Sequence, residues 1–141
     1  MKADQTTEKE VKKVLDEMIQ AYQTRDMNKI MDCFFTDPDL VMYGTGKDEK
    51  RVGMEQVKSQ VKRDWEQAES TRLSYDWISV SSSGKVAWLA SDVNFEVKAG
   101  GQNFRLEGRL TCVLEKRNGK WGIVQAHFSL PNVGQEEGES F

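Results

Sequence analysis

The chain has 141 residues, of which 38% are hydrophobic and 30% charged, with a net charge of −3 at pH 7. This length and composition predict one globular domain with a single core. The acidic balance disfavours a nucleic-acid binder, which would present a basic face. No apolar run approaches the ~20 residues of a membrane span, and the polar N-terminus lacks the apolar core of a signal peptide. We therefore expect a cytoplasmic protein with no nucleic-acid or membrane partner.

The two cysteines, Cys33 and Cys112, lie inside apolar patterns. Neither has a neighbouring histidine or a second cysteine at metal-ligand spacing. We interpret both as buried small hydrophobic residues in a reducing compartment. We expect no metal site and no cofactor.

Two helices are predicted at the start of the chain. Thr7 and Glu10 fit a capping box at the beginning of the first helix, and apolar residues then recur at helical spacing as far as Tyr22. Asp26 is placed to cap the second helix. That helix ends before Pro38, because a proline ring disfavours helical geometry in the residue that precedes it.

A third helical stripe runs from Met54 to Ala68, and from Thr71 onward apolar and polar residues alternate as in strands. The glycine- and charge-rich segment 44–53 lacks the spacing of a phosphate-binding loop, and we interpret it as a solvated lip. Strands are expected at 39–43, 86–97, 104–116 and from Trp121 onward. Helices followed by an antiparallel meander indicate the α+β class.

The hairpin around Asn118-Gly119 decides which side chains share a sheet face. A two-residue loop would pair Val113 with Val124, whereas a three-residue loop beginning at Arg117 would pair Cys112 with Val124. Since a slip of one residue turns every side chain over, we prefer the second register, which keeps the aliphatic residues together. The inward residues of the last strand are then Val124, Ala126 and Phe128, and the outward residues include Trp88, Arg109, Val113, Ile123, Gln125 and His127.

An outer sheet face that carries aromatic and aliphatic residues favours a partner, most simply a second copy of the chain. On this interpretation Arg109 and His127 belong to a dimer face. A Ser-His-Asp triad cannot be assembled from Ser129 and His127, because side chains two apart on a strand run side by side.

Several segments together resemble the nuclear transport factor 2-like superfamily, and within it the SnoaL-like group. They are the helix pair joined at Arg25-Asp26, F-F-T-D-P-D-L-V-M-Y-G-T-G-K-D-E with Gly53 downstream, R-L-T-C-V-L-E-K-R-N-G-K-W, and I-V-Q-A-H-F-S-L-P. The resemblance implies a conical, cystatin-like α+β fold in which three N-terminal helices pack on a strongly curved, mostly antiparallel sheet with an internal pocket. It also implies a homodimer through the outer sheet face. We expect residues 1–131 to form a single SnoaL-like domain, followed by an acidic, mobile tail at 132–141.

The superfamily includes steroid isomerases, polyketide cyclases, dehydratases, epoxide hydrolases, kinase association domains and transport factors, so the fold does not fix the function. The position of the steroid-isomerase base falls at Tyr43, and that of its first-helix tyrosine falls near Met18. Its second acid falls near Thr111 and Cys112. None of these residues matches, so we reject steroid-isomerase chemistry.

An epoxide-hydrolase trio could be imagined from Asp64, Arg109 and Asp92. We disfavour it, because the preferred register places Arg109 and Asp92 on the outer face. Asp64 is expected to be solvated or paired with Arg51 or Lys62.

The residues expected to line the pocket are mostly aromatic. Tyr43 is the best polar candidate, because a phenol both donates and accepts hydrogen bonds. For Trp65 and Phe128 the alternative is core packing. The predicted ligand-binding residues are Tyr22, Tyr43, Trp65, Ser91 and Phe128, with Thr45 and Asp64 at the lip.

We expect a homodimeric domain that binds a small hydrophobic ligand in a mostly apolar pocket. One alternative is an isomerase, lyase or hydrolase acting on a hydrophobic metabolite with acid–base help from Tyr43 or Asp64. Another is an association module. A perturbed titratable group in the cavity would favour an enzyme, an apolar cavity with a few polar anchors a binding domain, and a filled cavity with a large hydrophobic interface an association module.

Overall fold

The computed structural model describes residues 1–141 and has the predicted α+β architecture. The helices are α1 (Gln5–Gln23), α2 (Met27–Asp32) and α3 (Met54–Gln67), and the strands are β1 (Val41–Tyr43), β2 (Lys50–Val52), β3 (Ser70–Ser83), β4 (Val86–Ala99), β5 (Gln102–Arg117) and β6 (Lys120–Ser129). The third helix follows the two short strands, as the apolar periodicity predicted. None of the helices combines the length and the apolar character needed to cross a bilayer.

Helix α1 begins two residues earlier than the predicted capping box. The side chain of Asp4 is the cap, and it accepts a hydrogen bond of 2.7 Å from the backbone N–H of Thr7. Glu10 does not return to the helix start; it accepts a hydrogen bond of 2.8 Å from the indole N–H of Trp121. Its carboxylate therefore ties α1 to β6. Most of the predicted apolar stripe is buried, namely Val11, Leu15, Met18 and Ile19, and Ala21 is buried as well.

The break between α1 and α2 is fixed by two neighbouring residues. Arg25 adopts a positive φ of 58°, and its guanidinium donates hydrogen bonds to the backbone carbonyls of Trp65 at 2.8 Å and Ala68 at 2.6 Å. Asp26 caps α2 by accepting from the N–H of Lys29 at 3.1 Å, as predicted. The break therefore also holds the end of α3 against α1.

The six strands form one sheet in the order β2-β1-β6-β5-β4-β3. Only the pairing of β1 with β6 is parallel. The register shifts between Tyr75 and Ile78 on β3, and again between Val113 and Leu114 on β5. Such bulges increase the local bend and twist of a sheet, which lets the strands curve around the helices.

The β5–β6 hairpin differs from the predicted three-residue loop. Arg117 pairs with Lys120, and Asn118 and Gly119 have φ values of 49° and 79°, as in a two-residue turn of type I′. The extra residue is absorbed further along, where Val124 has no partner on β5 and Cys112 pairs with Ala126.

The bulge at Val124 has a clear physical reason. Before it Trp121 and Ile123 face the core, and after it Ala126 and Phe128 do. A strict alternation could not bury both pairs. The prediction that Ile123 points outward is wrong, because its side chain is only 1% exposed. The prediction that Ala126 faces inward is confirmed by its burial.

Cys33 and Cys112 are unpaired and buried, as predicted. Burial raises the pKa of the Cys33 thiol to about 11 and that of the Cys112 thiol to about 12. Both thiols therefore remain protonated near neutral pH, and they act as packing residues.

The C-terminal segment 132–141 forms no helix or strand, and its residues are exposed. Its predicted mobility stays a prediction. The remaining chain builds one hydrophobic core between the helices and the inner sheet face.

Candidate functional site

A cavity of about 320 Å³ opens between the helices and the inner face of the sheet. Hydrophobic side chains make up 13 of its 20 lining residues, so most of its wall is apolar. Helix α1 contributes Met18 and Tyr22, β4 contributes Phe95, and β6 contributes Phe128. The rings of Phe95 and Phe128 meet edge to face with centroids 5.8 Å apart, which is a favourable aromatic geometry.

Helix α3 supplies both apolar and polar parts of the wall. Val57, Gln60, Val61 and Asp64 all line the cavity. Their spacing of three, four and seven residues places them on one helix face. Gln60 is buried, with 3% of its surface exposed. The polar side chains of Gln60 and Asp64 therefore point into the protein and not into solvent.

A partly buried hydrogen-bonded cluster connects α1, α3 and the β1–β2 loop. The hydroxyl of Tyr22 donates to Oδ2 of Asp64 at 2.8 Å. The side-chain amide of Gln60 donates to Oδ1 of Asp64 at 2.7 Å and to Oε1 of Glu49 at 2.7 Å. One amide group thus bridges two carboxylates at the cavity wall.

Two arginines, Arg51 and Arg63, form hydrogen bonds and ion pairs with this cluster. Arg51 donates to Oε1 of Gln60 through Nε at 3.0 Å and Nη2 at 2.8 Å, which fixes the orientation of that amide. Arg63 forms ion pairs with Glu49 at 3.1 Å and with Asp48 at 2.8 Å. Neither guanidinium lines the cavity. Both positive charges therefore lie on the side of the cluster away from the cavity.

Burial shifts the pKa of both Tyr22 and Asp64. Burial raises the pKa of the Asp64 carboxyl, while the hydrogen bonds from Tyr22 and Gln60 oppose that rise. Burial, and then the neighbouring Asp64 charge, also raise the pKa of the Tyr22 phenol. Tyr22 is therefore a neutral donor, and Asp64 is a carboxyl held in a poorly solvated position.

Thr71 on β3 presents the least satisfied polar atom of the site. It lines the cavity, its residue is only 8% exposed, and its buried Oγ1 has no hydrogen-bond partner. Buried hydroxyls are nearly always hydrogen-bonded. This atom is therefore placed to bind a group that enters the cavity.

The structure brings four of the sequence-predicted residues to the cavity. Tyr22 and Phe128 line it, and so do Thr45 and Asp64, which were expected at the lip. The expected pairing of Asp64 with Arg51 or Lys62 is wrong, because Asp64 bonds Tyr22 and Gln60. Ligand contact by Tyr22 and Phe128 stays a prediction.

Trp65 and Ser91 lie outside the cavity lining, so their predicted placement is corrected. The indole N–H of Trp65 donates to the carbonyl of Tyr22 at 3.0 Å, and its ring packs beside the Tyr22 ring. The hydroxyl of Ser91 is buried and donates to the carbonyl of Trp77 at 2.8 Å. Both side chains connect structural elements.

Tyr43 also lies outside the cavity, because its neighbour Met42 takes the inward position on β1. Tyr43 is 42% exposed, pairs with His127 across β1 and β6, and packs its ring against the imidazole with centroids 5.2 Å apart. Arg109 and Asp92 pair on the exposed face as well. Asp64 is therefore separated from both, and the imagined epoxide-hydrolase trio is not assembled.

Sequence reasoning missed Glu49, Gln60 and Thr71 as wall residues. A signal existed for Gln60, since it falls three residues after Val57 and four before Asp64, at the edge of the predicted apolar stripe. A signal also existed for Thr71, which falls two residues before Leu73 and so on the same face of the predicted strand. Nothing in the local sequence of Glu49 indicates burial. In the structure no group of three histidine, cysteine, aspartate or glutamate side chains is arranged to hold a metal ion.

Residues 11–133 match the SnoaL-like domain family, so the chain belongs to that family. No curated protein matches the chain. The family assignment agrees with the resemblance on which the fold was predicted.

Solved structures with very different names share this fold. A nuclear transport factor 2-like superfamily protein from Salmonella enterica has a TM-score of 0.85 and 20% identity, covering 99% of this chain and 100% of that chain. A candidate dehydratase of the same family from Streptomyces avermitilis has a TM-score of 0.85 and 14% identity, covering 92% and 100%. A candidate calcium/calmodulin-dependent protein kinase II association domain from Xanthomonas campestris has a TM-score of 0.77 and 25% identity, covering 88% and 87%. The predicted SnoaL-like group and the predicted fold are confirmed, and function must come from the site.

Proposed function

We propose that this SnoaL-like domain binds a small, mostly apolar molecule in the cavity between its helices and sheet. The observation that carries the proposal is the cavity itself, which is apolar over most of its wall and has its polar groups gathered around Asp64. Ligand sites in proteins have this composition, with a few polar anchors among hydrophobic side chains.

The size of the cavity limits the ligand. The cavity has a volume of about 320 Å³. It lies near the lower end of the range for ligand pockets, about 300 to 1,000 Å³. The expected ligand is therefore small, with on the order of ten non-hydrogen atoms. One aromatic ring with a short substituent has this size.

The cavity also argues against the alternative function of an association module. An association module has no need of an internal cavity with buried polar groups, and a filled core would serve it better. The unsatisfied hydroxyl of Thr71 is a cost to the free protein that a ligand would remove. Both features favour a binding domain.

An enzyme is the second candidate, and the buried Asp64 carboxyl favours it. Its raised pKa brings it closer to the range in which a carboxyl both takes up and releases protons near neutral pH. Tyr22 would hold that carboxyl in place. In this alternative Asp64 would be the acid–base group, and Asp64→Asn would abolish turnover while the ligand still binds.

We also propose that the chain forms a homodimer through its outer sheet face. Val41, Gln125, Val113 and Trp88 are neighbours across four strands on that face. Val41, Val113 and Trp88 are only partly covered within one chain. Val113→Glu should give a monomer in analytical ultracentrifugation, whereas Val133→Glu in the exposed tail should leave the dimer intact; a monomeric parent protein would refute this proposal.

The binding proposal is tested with ethylbenzene, an uncharged probe of suitable size. In ¹H–¹⁵N NMR spectra its addition should shift signals of residues around the cavity, such as Tyr22, Val61 and Phe128. Leu106→Trp should abolish these shifts, because Leu106 lines the cavity and is 41% exposed, so a larger ring there can fill the space.

Phe104→Trp is the matched control. Phe104 lies on the same strand with 46% of its surface exposed, but it does not line the cavity. This variant should keep the response to ethylbenzene. Shifts that are absent in the parent protein, or that persist in Leu106→Trp, would overturn the proposal.

A further inference from the structure

We infer that the polar wall of the cavity is an acceptor site, and that its ligand is a small apolar molecule ending in a protonated amino group. This inference rests on the proposed binding function and specifies the chemical class of the ligand. It follows from which hydrogen-bond donors and acceptors at that wall are already used within the protein.

The donors at the wall are occupied. The hydroxyl proton of Tyr22 goes to Asp64. The Gln60 amide has two N–H bonds, and they go to Asp64 and Glu49. A primary amide has no third N–H to offer. Around Asp64, a ligand that needs to accept hydrogen bonds therefore finds only the hydroxyl of Thr71. Thr45 and Gln67 also line the cavity, but both are exposed at its rim.

The two arginines near the cluster add no free hydrogen-bond donor to the cavity wall. Arg51 donates two hydrogen bonds to the carbonyl oxygen of Gln60. Arg63 is engaged with Asp48 and Glu49. Since neither side chain lines the cavity, no guanidinium is available for a carboxylate or phosphate of the ligand. An anionic ligand would instead meet two carboxylates.

The acceptors at the wall retain free capacity. An ionised carboxylate has about four lone-pair sites, and each oxygen of Asp64 accepts one hydrogen bond within the protein. The oxygen of Tyr22 donates its proton and can still accept. Thr71 Oγ1 is buried beside the Tyr22 hydroxyl and forms no hydrogen bond of good geometry. An ammonium group carries three N–H donors, which matches this arrangement.

The charges point to an ammonium group in preference to a hydroxyl group. The negative charge of Glu49 is offset by its ion pair with Arg63. Asp64 takes part in none of the ion pairs in the structure. The charge of Arg63 acts on Asp64 only from a distance, without an ion pair. A partly buried carboxylate without a directly paired cation is costly, and a bound cation relieves that cost. A hydroxyl group would satisfy the hydrogen bonds but not the charge.

Three probes that share a phenylethyl group separate these possibilities by isothermal titration calorimetry. They are 2-phenylethylamine, 2-phenylethanol and 3-phenylpropionate. At neutral pH the amine should bind at least about tenfold more tightly than the alcohol, as expected for charge-assisted hydrogen bonds. The carboxylate should bind more weakly than the alcohol. Equal affinities, or a preference for the carboxylate, would overturn the inference.

Two variants and one control show which residues cause the preference for the amine. Asp64→Asn should reduce the affinity for the amine to that for the alcohol. Asp92→Asn, on the exposed sheet face, should leave the preference intact. Thr71→Val keeps the shape of the side chain, and it should weaken the binding of the amine. Retention of the full amine preference in both Asp64→Asn and Thr71→Val would also overturn the inference.

Failure of this inference is distinguishable from failure of the proposed function. If ethylbenzene binds and the three phenylethyl probes show no preference for the amine, the cavity is a ligand site without an acceptor wall. If neither ethylbenzene nor the amine binds, both proposals are wrong.

Discussion

The hydroxyl of Tyr22 donates a hydrogen bond of 2.8 Å to the carboxylate of Asp64, across 42 positions of sequence. This bond joins α1 to α3 at the wall of the cavity. It also consumes the proton of the phenol, so that the pair presents only acceptor atoms to the cavity. One contact thus contributes to the packing of the helices and to the chemistry of the site.

Removal of the Tyr22 hydroxyl should change both the stability of the domain and the pKa of Asp64. Tyr22→Phe should lower the free energy of unfolding by about 1 to 3 kcal/mol, because it leaves a partly buried carboxylate without one of its donors. It should also raise the pKa of Asp64 further, since that hydrogen bond favours the ionised form. Urea denaturation and NMR titration measure the two effects.

Tyr75→Phe provides the matched control. Tyr75 also donates a hydrogen bond of 2.8 Å to an aspartate, but its partner Asp16 is exposed. Water can replace the lost donor there, so the cost should be smaller. An equal cost for the two variants would contradict the assigned burial of Asp64.

The stability of the domain should carry a pH signature of Asp64. Its pKa is raised in the folded protein, so the folded state holds this proton at a pH where the unfolded state has released it. The protonated carboxyl therefore contributes to the free energy of unfolding. This contribution is complete below the pKa of Asp64 in the unfolded chain, and it is lost as the pH rises through its pKa in the folded protein. The pH range of this loss is set by the groups that face the carboxyl, which are Tyr22, Glu49, Gln60 and Arg63. The difference in unfolding free energy between the parent and Asp64→Asn should therefore favour the parent most at acid pH.

The contribution of Asp37 to stability should depend on pH in the opposite direction. Its ion pair and hydrogen bonds with Arg117 lower its pKa in the folded protein, so its contribution is present above the unfolded pKa and is lost as the pH falls. The parent should therefore lose its advantage over Asp37→Asn on acidification. Parallel pH profiles for Asp64→Asn and Asp37→Asn would contradict these assignments.

Thr71→Val should separate stability from binding. The free protein should be as stable as the parent or more stable by up to about 1 kcal/mol, since an unsatisfied buried hydroxyl is replaced by an apolar group of the same shape. Urea denaturation without ligand tests this. A large loss of stability would mean that Thr71 Oγ1 has a partner in solution, and it would remove one support for the acceptor wall.

The turn between β5 and β6 should be sensitive to a single methyl group. Gly119 has a φ of 79° with nothing within 4 Å of an added Cβ, so Gly119→Ala should cost about 1 to 2 kcal/mol through backbone strain alone. Gly138 has a similar φ of 88° but lies in the exposed tail. Gly138→Ala should leave the thermal midpoint unchanged. Equal shifts for the two variants would contradict the turn geometry.

Much of the fold could be predicted from local patterns. The apolar spacing of Val11, Leu15 and Met18 indicated α1, and Asp26 indicated the start of α2, because these signals depend on neighbouring residues only. The bulge at Val124 was missed although its cause is visible in the sequence. Apolar residues change from odd to even positions between Ile123 and Ala126, which requires an extra residue there if all are to be buried.

The site was less predictable than the fold. Tyr22 and Phe128 were placed correctly because their elements have a clear inward face. Tyr43 was not, since β1 is short and the buried Met42 decides which neighbour points out. The contacts of Glu49 and Thr71 arise from distant segments that meet only in the folded protein. No local pattern encodes those contacts.

The NMR signal of the Asp64 carboxyl carbon reports directly which group this side chain meets in the occupied cavity. The pKa of Asp64 should be measured with and without 2-phenylethylamine over the acidic range, where the amine stays protonated. We predict a pKa above the ordinary aspartate value in the free protein and a clear fall when the amine is bound, because an ammonium group stabilises the ionised carboxylate. An unchanged pKa with the amine bound in the cavity would contradict the account.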